Sequence, residues 1–422
     1  MNLLERPALH ALSRHRVAAI AFGAGAFVLA ACESAGTGGR TNPSALGILA
    51  KGAPVTASTP SYSFQPYVYE TYNTKITGLD DDKNGKPLSI SGNYYSAGSN
   101  NQPHSFISTS SSSSAGTYSG PTPYPPNARP NTYISALNDI ETTSSTYGGV
   151  GFSPPFDPTY GCASTSNNHL CGVIYDPQNH TTAGHLYQVR DPNEGTGSCA
   201  ATYLYGTYGS AIQVGYYTDA NCNAHGIEEY KYPHGDPQFV DFPQSQLSSV
   251  GCDGVQSWAY GINHDDVVVG ACTSSSTNGP KMIGWRYKDF NYSSIVMLDA
   301  HNKQLWTQAL GVNSAGLVVG SYEDSSAVHK MHGFVSGQST FYTVDYTAGG
   351  VDDATVVNSM NSRQTIVGWY YNGTTANSVT GFVATCNHKL NQCPSEATTA
   401  DLSRTGRSTS ARRIGPGIRQ RP

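Results

Sequence analysis

Charged residues are scarce in this sequence: Asp, Glu, Lys and Arg together make up only 13% of its 422 residues. Long apolar runs are missing too. The longest, residues 17–31, is shorter than a comfortable membrane-spanning helix. Almost no stretch has the 3.6-residue apolar period of an amphipathic helix. These absences argue against a helical fold.

Familiar catalytic motifs are also lacking. The chain contains no G-x-S-x-G and no H-E-x-x-H, and it has no C-x-x-C that would favour a metal site. The acidic pairs Asp265-Asp266 and Asp352-Asp353 lie in predicted turns, where such pairs are usually solvated. The sequence therefore identifies no catalytic residue, and we predict a protein that is not an enzyme.

Glycine and tyrosine are abundant, with 45 and 28 copies, and Ser and Thr are frequent. This composition is typical of an exported all-β protein. Residues 33–395 contain 15 basic and 26 acidic residues, a net charge of about −11. An acidic body argues against a nucleic-acid partner, because binding nucleic acid requires Lys and Arg to neutralise phosphates.

The strongest pattern is an internal repeat that joins an Asn-containing turn to a V-V-G strand, in residues 260–270 and 309–320. A second strand follows each about a dozen residues later. Further copies occupy residues 78–107, 211–227 and 356–383. The central glycines Gly215, Gly270, Gly320 and Gly368 are 55, 50 and 48 residues apart. A period of this length with several short strands is typical of propeller blades.

The spacing also predicts how many blades there are. Gly92 and Gly215 are 123 residues apart, which leaves room for one further unit, and residues 134–139 and 169–174 look like parts of it. We therefore predict an all-β propeller of about six four-stranded blades within residues 62–395. The alternating aromatic residues from Tyr62 are expected to close the ring against the last blade.

Each part of the repeat has a structural interpretation. Val268-Val269 is expected on an inner strand buried between blades, and the following glycine removes a side chain where strands approach or bend. Asn263, Asn313 and Asn361 precede tight turns, in which an Asx side chain bonds its own backbone.

The G-I-N-x-x-G-x-V-V-G-Y-Y pattern followed by H-G-F resembles the HAF repeat of bacterial extracellular proteins. The resemblance covers residues from about 75 to 385 and is strongest in the last three units. It implies secretion and a repeat-built β fold, and it implies no established activity. Gly270 departs from the pattern, since Ala271-Cys272 follow it instead of two tyrosines.

The N-terminus predicts export. Arg6, Arg14 and Arg16 precede the apolar run, so residues 1–31 read as a signal peptide. Residues 29–32, L-A-A-C, resemble the lipobox of bacterial lipoproteins, which implies acyl chains on Cys32 and a membrane anchor. The alternative is an ordinary signal with a chance cysteine. Glu33 favours the outer membrane, with the protein facing the periplasm or the cell surface.

Three segments lack the pattern of a packed domain. Residues 32–61 are predicted to be a flexible tether, and the Ser- and Pro-rich residues 108–130 an exposed loop and not a strand. Residues 396–422 are predicted to be a disordered basic tail. This tail either contacts anionic lipid headgroups or is simply solvated.

Eight cysteines remain beside Cys32, an even number in an exported chain. They fall into local couples, and a disulfide within each couple is the prediction: Cys162/Cys171, Cys199/Cys222, Cys252/Cys272 and Cys386/Cys393.

Two sets of residues are candidates for ligand chemistry. His104, His225 and His332 recur at one place in the repeat and could gather around a channel, although a hydrogen bond within each blade is favoured. Asp80, Asp82 and Asn84 match the start of a calcium loop, but Ser91 stands where an EF-hand has its bidentate Glu. The same segment also fits the ordinary Asx turn of the repeat. A structural calcium is the only cofactor considered.

Tyrosines near strand ends could stack on sugars, although packing between blades is the alternative: Tyr94, Tyr95, Tyr216, Tyr217, Tyr370 and Tyr371. The predicted function is binding or scaffolding through the propeller face, by a lipid-anchored monomer with a glycan or protein ligand. The alternative is a carbohydrate-active hydrolase or lyase with its site at the channel. A purely structural envelope protein is the third possibility.

Overall fold

The structure of the chain is a computed structural model. It describes residues 62–68, 72–80, 88–95, 103–110, 122–123, 132–139, 147–155, 162, 170–176, 185–196, 199–208, 212–230, 237–275, 281–326, 329–336, 341–346, 354–371, 379–386 and 393. Cys32, the tether and the basic tail lie outside these residues.

Twenty-four strands form six four-stranded antiparallel sheets, and the sheets form a six-bladed ring. Blade 1 contains β2 (Asn73–Leu79), β3 (Ser89–Tyr95), β4 (Pro103–Thr109) and β5 (Thr122–Pro123). Blade 2 contains β6 (Tyr133–Asp139), β7 (Tyr147–Ser153), β8 (Cys171–Asp176) and β9 (His185–Val189). Blade 3 contains β10 (Thr202–Tyr208), β11 (Ile212–Thr218), β12 (Ala224–Tyr230) and β13 (Gln238–Asp241).

The remaining blades repeat this order. Blade 4 contains β14 (Ser257–Ile262), β15 (Val268–Ser274), β16 (Lys281–Lys288) and β17 (Asn291–Ile295). Blade 5 contains β18 (Trp306–Val312), β19 (Val318–Glu323), β20 (Met331–Ser336) and β21 (Phe341–Val344). Blade 6 contains β22 (Thr355–Met360), β23 (Thr365–Tyr371), β24 (Val379–Cys386) and β1 (Tyr62–Tyr67). The predicted propeller of about six blades is confirmed.

The N-terminal strand β1 closes the ring. It pairs antiparallel with β24 from Tyr62 opposite Cys386 to Tyr67 opposite Gly381, and so becomes the outermost strand of blade 6. The Phe64 ring packs edge-on against Phe382, with 5.3 Å between ring centroids. Because the first strand pairs with the last sheet, the first and last blades are joined and the ring is closed.

One glycine recurs on the second strand of every blade, opposite a β-bulge in the innermost strand. A Cβ at any of the six positions would overlap a carbonyl oxygen of the innermost strand: Gly92, Gly151, Gly215, Gly270, Gly320 and Gly368. The glycine is therefore required by the close approach of the bulged strand. In blade 2, where the V-V-G pattern is absent, Gly151 occupies this recurring position.

The Val-Val pair of the repeat lies on the second strand of its blade, not on the innermost one. Val268 and Val269 on β15 are completely buried and point to opposite sides of the sheet. Val268 packs into a cluster with Trp285 and Phe242, and Val269 joins the next cluster with Phe334. The core thus consists of apolar layers between successive blades.

The repeated asparagines connect neighbouring blades as well as forming turns. The Oδ1 atoms of Asn263 and Asn313 accept the amides of Val267 and Leu317, as expected for Asx turns. In addition, Asn263 Nδ2 donates to the carbonyl oxygen of Asn313 (2.7 Å), and Asn313 Nδ2 donates to that of Asn361 (3.1 Å). The turns of blades 4, 5 and 6 therefore form a chain of hydrogen bonds around one face.

A second set of links uses hydroxyl groups on the opposite face. A buried Ser or Thr occupies the same position near the start of all six innermost strands: Thr74, Thr132, Thr202, Ser257, Thr307 and Thr355. Three of these hydroxyls accept an amide from the residue two positions after the preceding blade's last strand, namely Asp191, Met297 and Tyr346. Pro243 occupies that position before blade 4 and has no N–H, so Ser257 accepts the Gly226 amide instead.

All four predicted disulfides are present: Cys162–Cys171, Cys199–Cys222, Cys252–Cys272 and Cys386–Cys393. The first three lie on or next to the face that carries the blade-to-blade connections. Cys199–Cys222 and Cys252–Cys272 tie a blade-to-blade connection to its own blade, and Cys162–Cys171 ties the connection between β7 and β8 to the start of β8.

Two local features were not expected. The Ser- and Pro-rich segment 108–130 contains a strand, since Thr122 and Pro123 pair with Ile107 and Phe106 and complete blade 1. The prediction of a loop without strands was wrong because Pro is tolerated on an edge strand, where no partner needs its missing N–H. The other feature is a short helix, α1 (Gln244–Leu247), between blades 3 and 4. Among the described residues, no helix has the length and apolar character to span a membrane.

Candidate ligand-binding site on the propeller axis

The three repeated histidines lie within separate blades and do not meet around the axis. His104, His225 and His332 are on the third strands, and each stacks on the tyrosine opposite it at 5.0 to 5.1 Å between ring centroids. Ile283 and Thr380 occupy the equivalent place in blades 4 and 6. The idea of a histidine set around a channel is therefore wrong.

Two of these histidines bond to carboxylates of their own blade, which confirms the favoured interpretation. His225 Nε2 is 3.0 Å from Asp219 Oδ2. His332 Nδ1 is 2.9 Å from Asp345 Oδ2, and its Nε2 is 3.4 Å from Asp324 Oδ2. These contacts tie the third strand to the adjacent loop and to the outermost strand.

The His332 contacts predict a pH dependence of stability. Burial lowers the pKa of His332, but the hydrogen bonds and charges of Asp345 and Asp324 outweigh it, so the pKa is raised above its usual value. A raised pKa means that protonation stabilises the folded state fully below about pH 6.5, and this contribution disappears as the pH rises through the folded-state pKa. Urea titrations should show that His332→Gln reduces the stability difference between acidic and alkaline pH.

His301→Gln is the matched control for this prediction, because His301 is exposed. An unchanged pH profile in His332→Gln would contradict the assignment of the His332 contacts.

The calcium prediction can be followed at one of its residues only. Asp80 is buried at the end of β2, and its amide donates to the Ser89 carbonyl oxygen (3.1 Å), as in the Asx turns of the other blades. Asp82 and Asn84 lie outside the described residues, so the calcium site stays a prediction. Within the described part of the chain, no three His, Cys, Asp or Glu residues are placed to hold a metal ion.

The tyrosines proposed as a sugar platform are mostly part of the packing. Tyr216, Tyr217 and Tyr370 are buried. Tyr370 packs against Tyr346 with 4.1 Å between ring centroids, and Tyr371 packs edge-on against Trp369. Packing between strands and blades therefore accounts for Tyr217, Tyr370 and Tyr371.

At the axis the innermost strands come into direct contact. Small residues follow each bulge, and a Cβ on Gly206 would lie 2.9 Å from the Gly261 Cα. A Cβ on Gly261 would lie 3.0 Å from the Gly311 Cα, and one on Gly311 would lie 3.1 Å from the Ser359 Cα. Glycine therefore lines the narrow part of the axis in blades 3 to 5.

Aromatic side chains surround the axis on one side of this narrow part. Tyr205 and Tyr260 are the bulge residues of β10 and β14, and their rings contact edge-on at 5.3 Å. Tyr205 also stacks on Tyr216 at 5.7 Å and contacts Phe152 of blade 2 at 5.9 Å. Phe152 in turn stacks on Tyr133 at 4.7 Å. Rings from blades 2, 3 and 4 thus form one continuous belt.

A lysine side chain lies next to these aromatic rings. Lys75 on β2 is 7% exposed, and its Nζ lies 4.7 Å from the centroid of the Trp369 ring and 5.9 Å from that of Tyr95. Trp369 belongs to blade 6 and Tyr95 to blade 1, so the ammonium group sits between two blades. Both distances are within the range of a cation–π interaction. We call Lys75, Tyr95, Tyr133, Tyr205, Tyr216, Tyr260 and Trp369 the axial cluster.

The tyrosine hydroxyls of the axial cluster affect one another and stay protonated. Burial, together with the neighbouring Tyr95 and Tyr205, raises the pKa of Tyr133 well above its usual value. Burial and nearby tyrosines, Tyr95 among them, likewise raise the pKa of Tyr205. Tyr205 is half-buried, whereas Tyr133, Tyr216 and Tyr260 are buried. The cluster offers phenol donors, aromatic faces and one ammonium group.

The sequence alone does not reveal most of this cluster. Among its members only Tyr95 and Tyr216 are candidates from the sequence, because they lie near predicted strand ends. Lys75, Tyr133, Tyr205 and Tyr260 lie on innermost strands, where the bulge shifts the alternation of side chains by one residue. Lys75 and Tyr133 directly precede the residue paired with the recurring glycine, and Tyr205 and Tyr260 directly follow it.

No protein-family model matches the sequence, and no curated protein matches it. Similar solved structures include a protein of unknown function from Dyadobacter fermentans DSM 18053, with a TM-score of 0.46 and 9% identity over 77% of this chain and 99% of that chain. Trypanosoma rangeli sialidase in complex with the inhibitor DANA has a TM-score of 0.44 and 8% identity over 79% and 61%. AofleA from Arthrobotrys oligospora has a TM-score of 0.41 and 11% identity over 78% and 89%. Likeness at this level carries no functional argument.

Proposed function

We propose that this protein is a lipid-anchored protein of the bacterial cell envelope that binds a glycan at the axis of its propeller. The observation that carries the proposal is the axial cluster, in which aromatic rings and hydroxyl groups from several blades converge beside the half-buried Tyr205. Ligand sites of proteins commonly combine aromatic walls with a few placed polar groups.

A sugar fits this combination of groups. The C–H face of a pyranose packs on an aromatic ring, and its hydroxyls need hydrogen-bond partners when they leave water. Tyr205 and Tyr260 provide both kinds of contact from one side chain. A protein partner docking on the loops of the same face is the alternative ligand for this function.

The proposed location follows from the N-terminal sequence. Acyl chains on Cys32 would hold the protein at the outer membrane, and residues 32–61 would separate the propeller from the bilayer. The disulfides support an exported protein, because such bonds persist in oxidising compartments.

A binding role is favoured over the alternative of a hydrolase or lyase. A glycosidase typically places two carboxyl groups on opposite sides of the scissile bond. The axial cluster provides phenols, an indole and an ammonium group, and glycine lines the neighbouring narrow part of the axis. These groups hold a ligand without supplying an acid and a base of that kind.

The test uses the mature chain with Cys32→Ser, which keeps the whole propeller and removes the acyl chains. On a glycan array this protein should bind a restricted set of oligosaccharides, and calorimetry should give a dissociation constant for the best of them. Tyr205→Leu should weaken that binding at least about tenfold, because a stacking ring and a hydrogen-bond donor are both lost.

Tyr342→Leu is the matched control, since Tyr342 lies on β21, the outermost strand of blade 5. It should leave the dissociation constant unchanged. A folded protein that binds no glycan would overturn the proposal, and release of new reducing ends from a bound glycan would favour the hydrolase or lyase.

A further inference from the structure

One cationic side chain lies on the innermost strands of the propeller. Their sequences, as the structure assigns them, contain Lys75 and no other Lys or Arg. The surrounding body is acidic, with 15 basic and 26 acidic residues between positions 33 and 395. A buried ammonium group is energetically unfavourable unless neighbouring groups stabilise it.

Two aromatic rings fix the position of the Lys75 ammonium group. Its Nζ faces the Trp369 ring at 4.7 Å and the Tyr95 ring at 5.9 Å. Trp369 is itself buried, so the indole provides a fixed surface for the ammonium group. Burial lowers the pKa of Lys75 to about 8, and the side chain is still mainly protonated at neutral pH.

Hydrogen-bond donors lie close to this ammonium group. Tyr95 contacts Lys75 and is near enough to Tyr133 to raise that residue's pKa. Phenols whose pKa is raised remain neutral and can each donate an O–H. An ammonium group and several O–H donors together are complementary to an anion, because charge-assisted hydrogen bonds to a carboxylate are stronger than those between neutral groups.

The bulge residue of blade 2 adds a hydroxyl group to the donors of the axial cluster. Ser135 occupies the position in β6 that Tyr205 and Tyr260 occupy in their own strands. It is buried, and its hydroxyl has no hydrogen-bond partner among the residues that the structure describes. A buried hydroxyl in this state favours a bound water or ligand as its partner.

We propose that the ligand of the axial cluster is an acidic saccharide whose carboxylate binds Lys75 and the adjacent phenols while its ring packs on the aromatic belt. This inference rests on the proposed function and specifies the chemical class of its ligand. The indole of Trp369 positions the ammonium group. Lys75 therefore determines the preference for an acidic sugar over a neutral one.

The test compares an oligogalacturonate with its fully methyl-esterified form, which has the same length and linkage but no charge. Calorimetry with the mature Cys32→Ser chain should show that the acid binds at least about tenfold more tightly than the ester. Lys75→Met should remove this difference, and Lys75→Arg should restore most of it. Methionine has nearly the length of lysine, and near-UV circular dichroism verifies that each variant is folded.

Lys288→Met is the matched control, because Lys288 lies at the end of β16 beside the outer turn of blade 4. It removes the same charge and should leave the preference for the acid intact. If Lys75→Met and Lys288→Met reduce the preference equally, general electrostatic attraction explains it and the inference is wrong.

Two further outcomes separate this inference from the proposed function. Equal binding of acid and ester, or binding of neutral glycans only on the array, would overturn the acidic-saccharide inference and leave glycan binding standing. Absence of binding to every glycan by a folded protein would overturn both.

Discussion

Gly270→Ala is expected to lower the free energy of unfolding by more than about 3 kcal/mol. A Cβ at this position would overlap the carbonyl oxygen of Trp258 and lie 2.6 Å from Cζ2 of Trp285. Neither group can move easily, since Trp258 belongs to the innermost strand and Trp285 is fully buried with its Nε1 donating to the Ala271 carbonyl oxygen (2.9 Å). Urea unfolding followed by Trp fluorescence measures the effect.

Gly226→Ala provides the comparison. Gly226 also lies in a strand, β12, but a Cβ there would be 3.4 Å from its nearest neighbours, an ordinary van der Waals distance. Its effect should stay within about 1 kcal/mol of the wild type. Similar losses in both variants would mean that glycine is needed for some reason other than the close approach of the bulge.

Removing β1 is also expected to lower the stability of the propeller strongly. A chain that begins at residue 72 lacks the strand that pairs with β24, and it exposes the Phe382 surface that Phe64 covers. Loss of the three aromatic side chains of β1 and of its whole strand ladder should cost roughly 5 kcal/mol or more. The unpaired edge of β24 should also promote association, which size-exclusion chromatography detects.

A chain that begins at residue 61 is the control, because it retains every residue of β1. A synthetic peptide covering residues 61–68 should restore monomeric behaviour to the shorter chain, and the same peptide with Phe64→Ala should restore it poorly. If the shorter chain unfolds at the same urea concentration as the control, the ring does not depend on this closure.

The glycine period and the Asn turns predicted the propeller because both come from backbone requirements that every blade shares. Gly270 and Gly320 are fixed by a bulge, and Asn313 by a turn, so these residues recur at constant spacing. The alternating aromatic residues near the N-terminus predicted a strand. Ring closure followed because a propeller joins its first strand to its last blade. The short strand at Thr122 and Pro123 gave no such signal, since an edge position imposes little on sequence.

The axial cluster could not be predicted in the same way. Lys75 in blade 1 and Tyr133 in blade 2 occupy equivalent positions but differ in type. A site assembled from one or two residues of each of five blades has no local motif, and the bulge displaces the strict alternation by which strand faces are assigned. Contacts between blades, such as that of Lys75 with Trp369, join residues almost three hundred positions apart.

The three disulfides near the connection face bear on ligand binding as well as on stability. Cys199–Cys222 fixes the connection that leads into β10, the strand that carries Tyr205. A loop held in place loses less conformational entropy when a ligand binds. The cross-linked connections therefore suit a preorganised site at this end of the axis.

The most direct measurement is a crystal structure of the mature chain soaked with the oligosaccharide that binds best on the array. Electron density for a sugar ring should lie against Tyr205 and Tyr260, with its charged group next to Lys75. Density confined to the outer strands, away from the axis, would contradict the proposal that the propeller axis is the binding site.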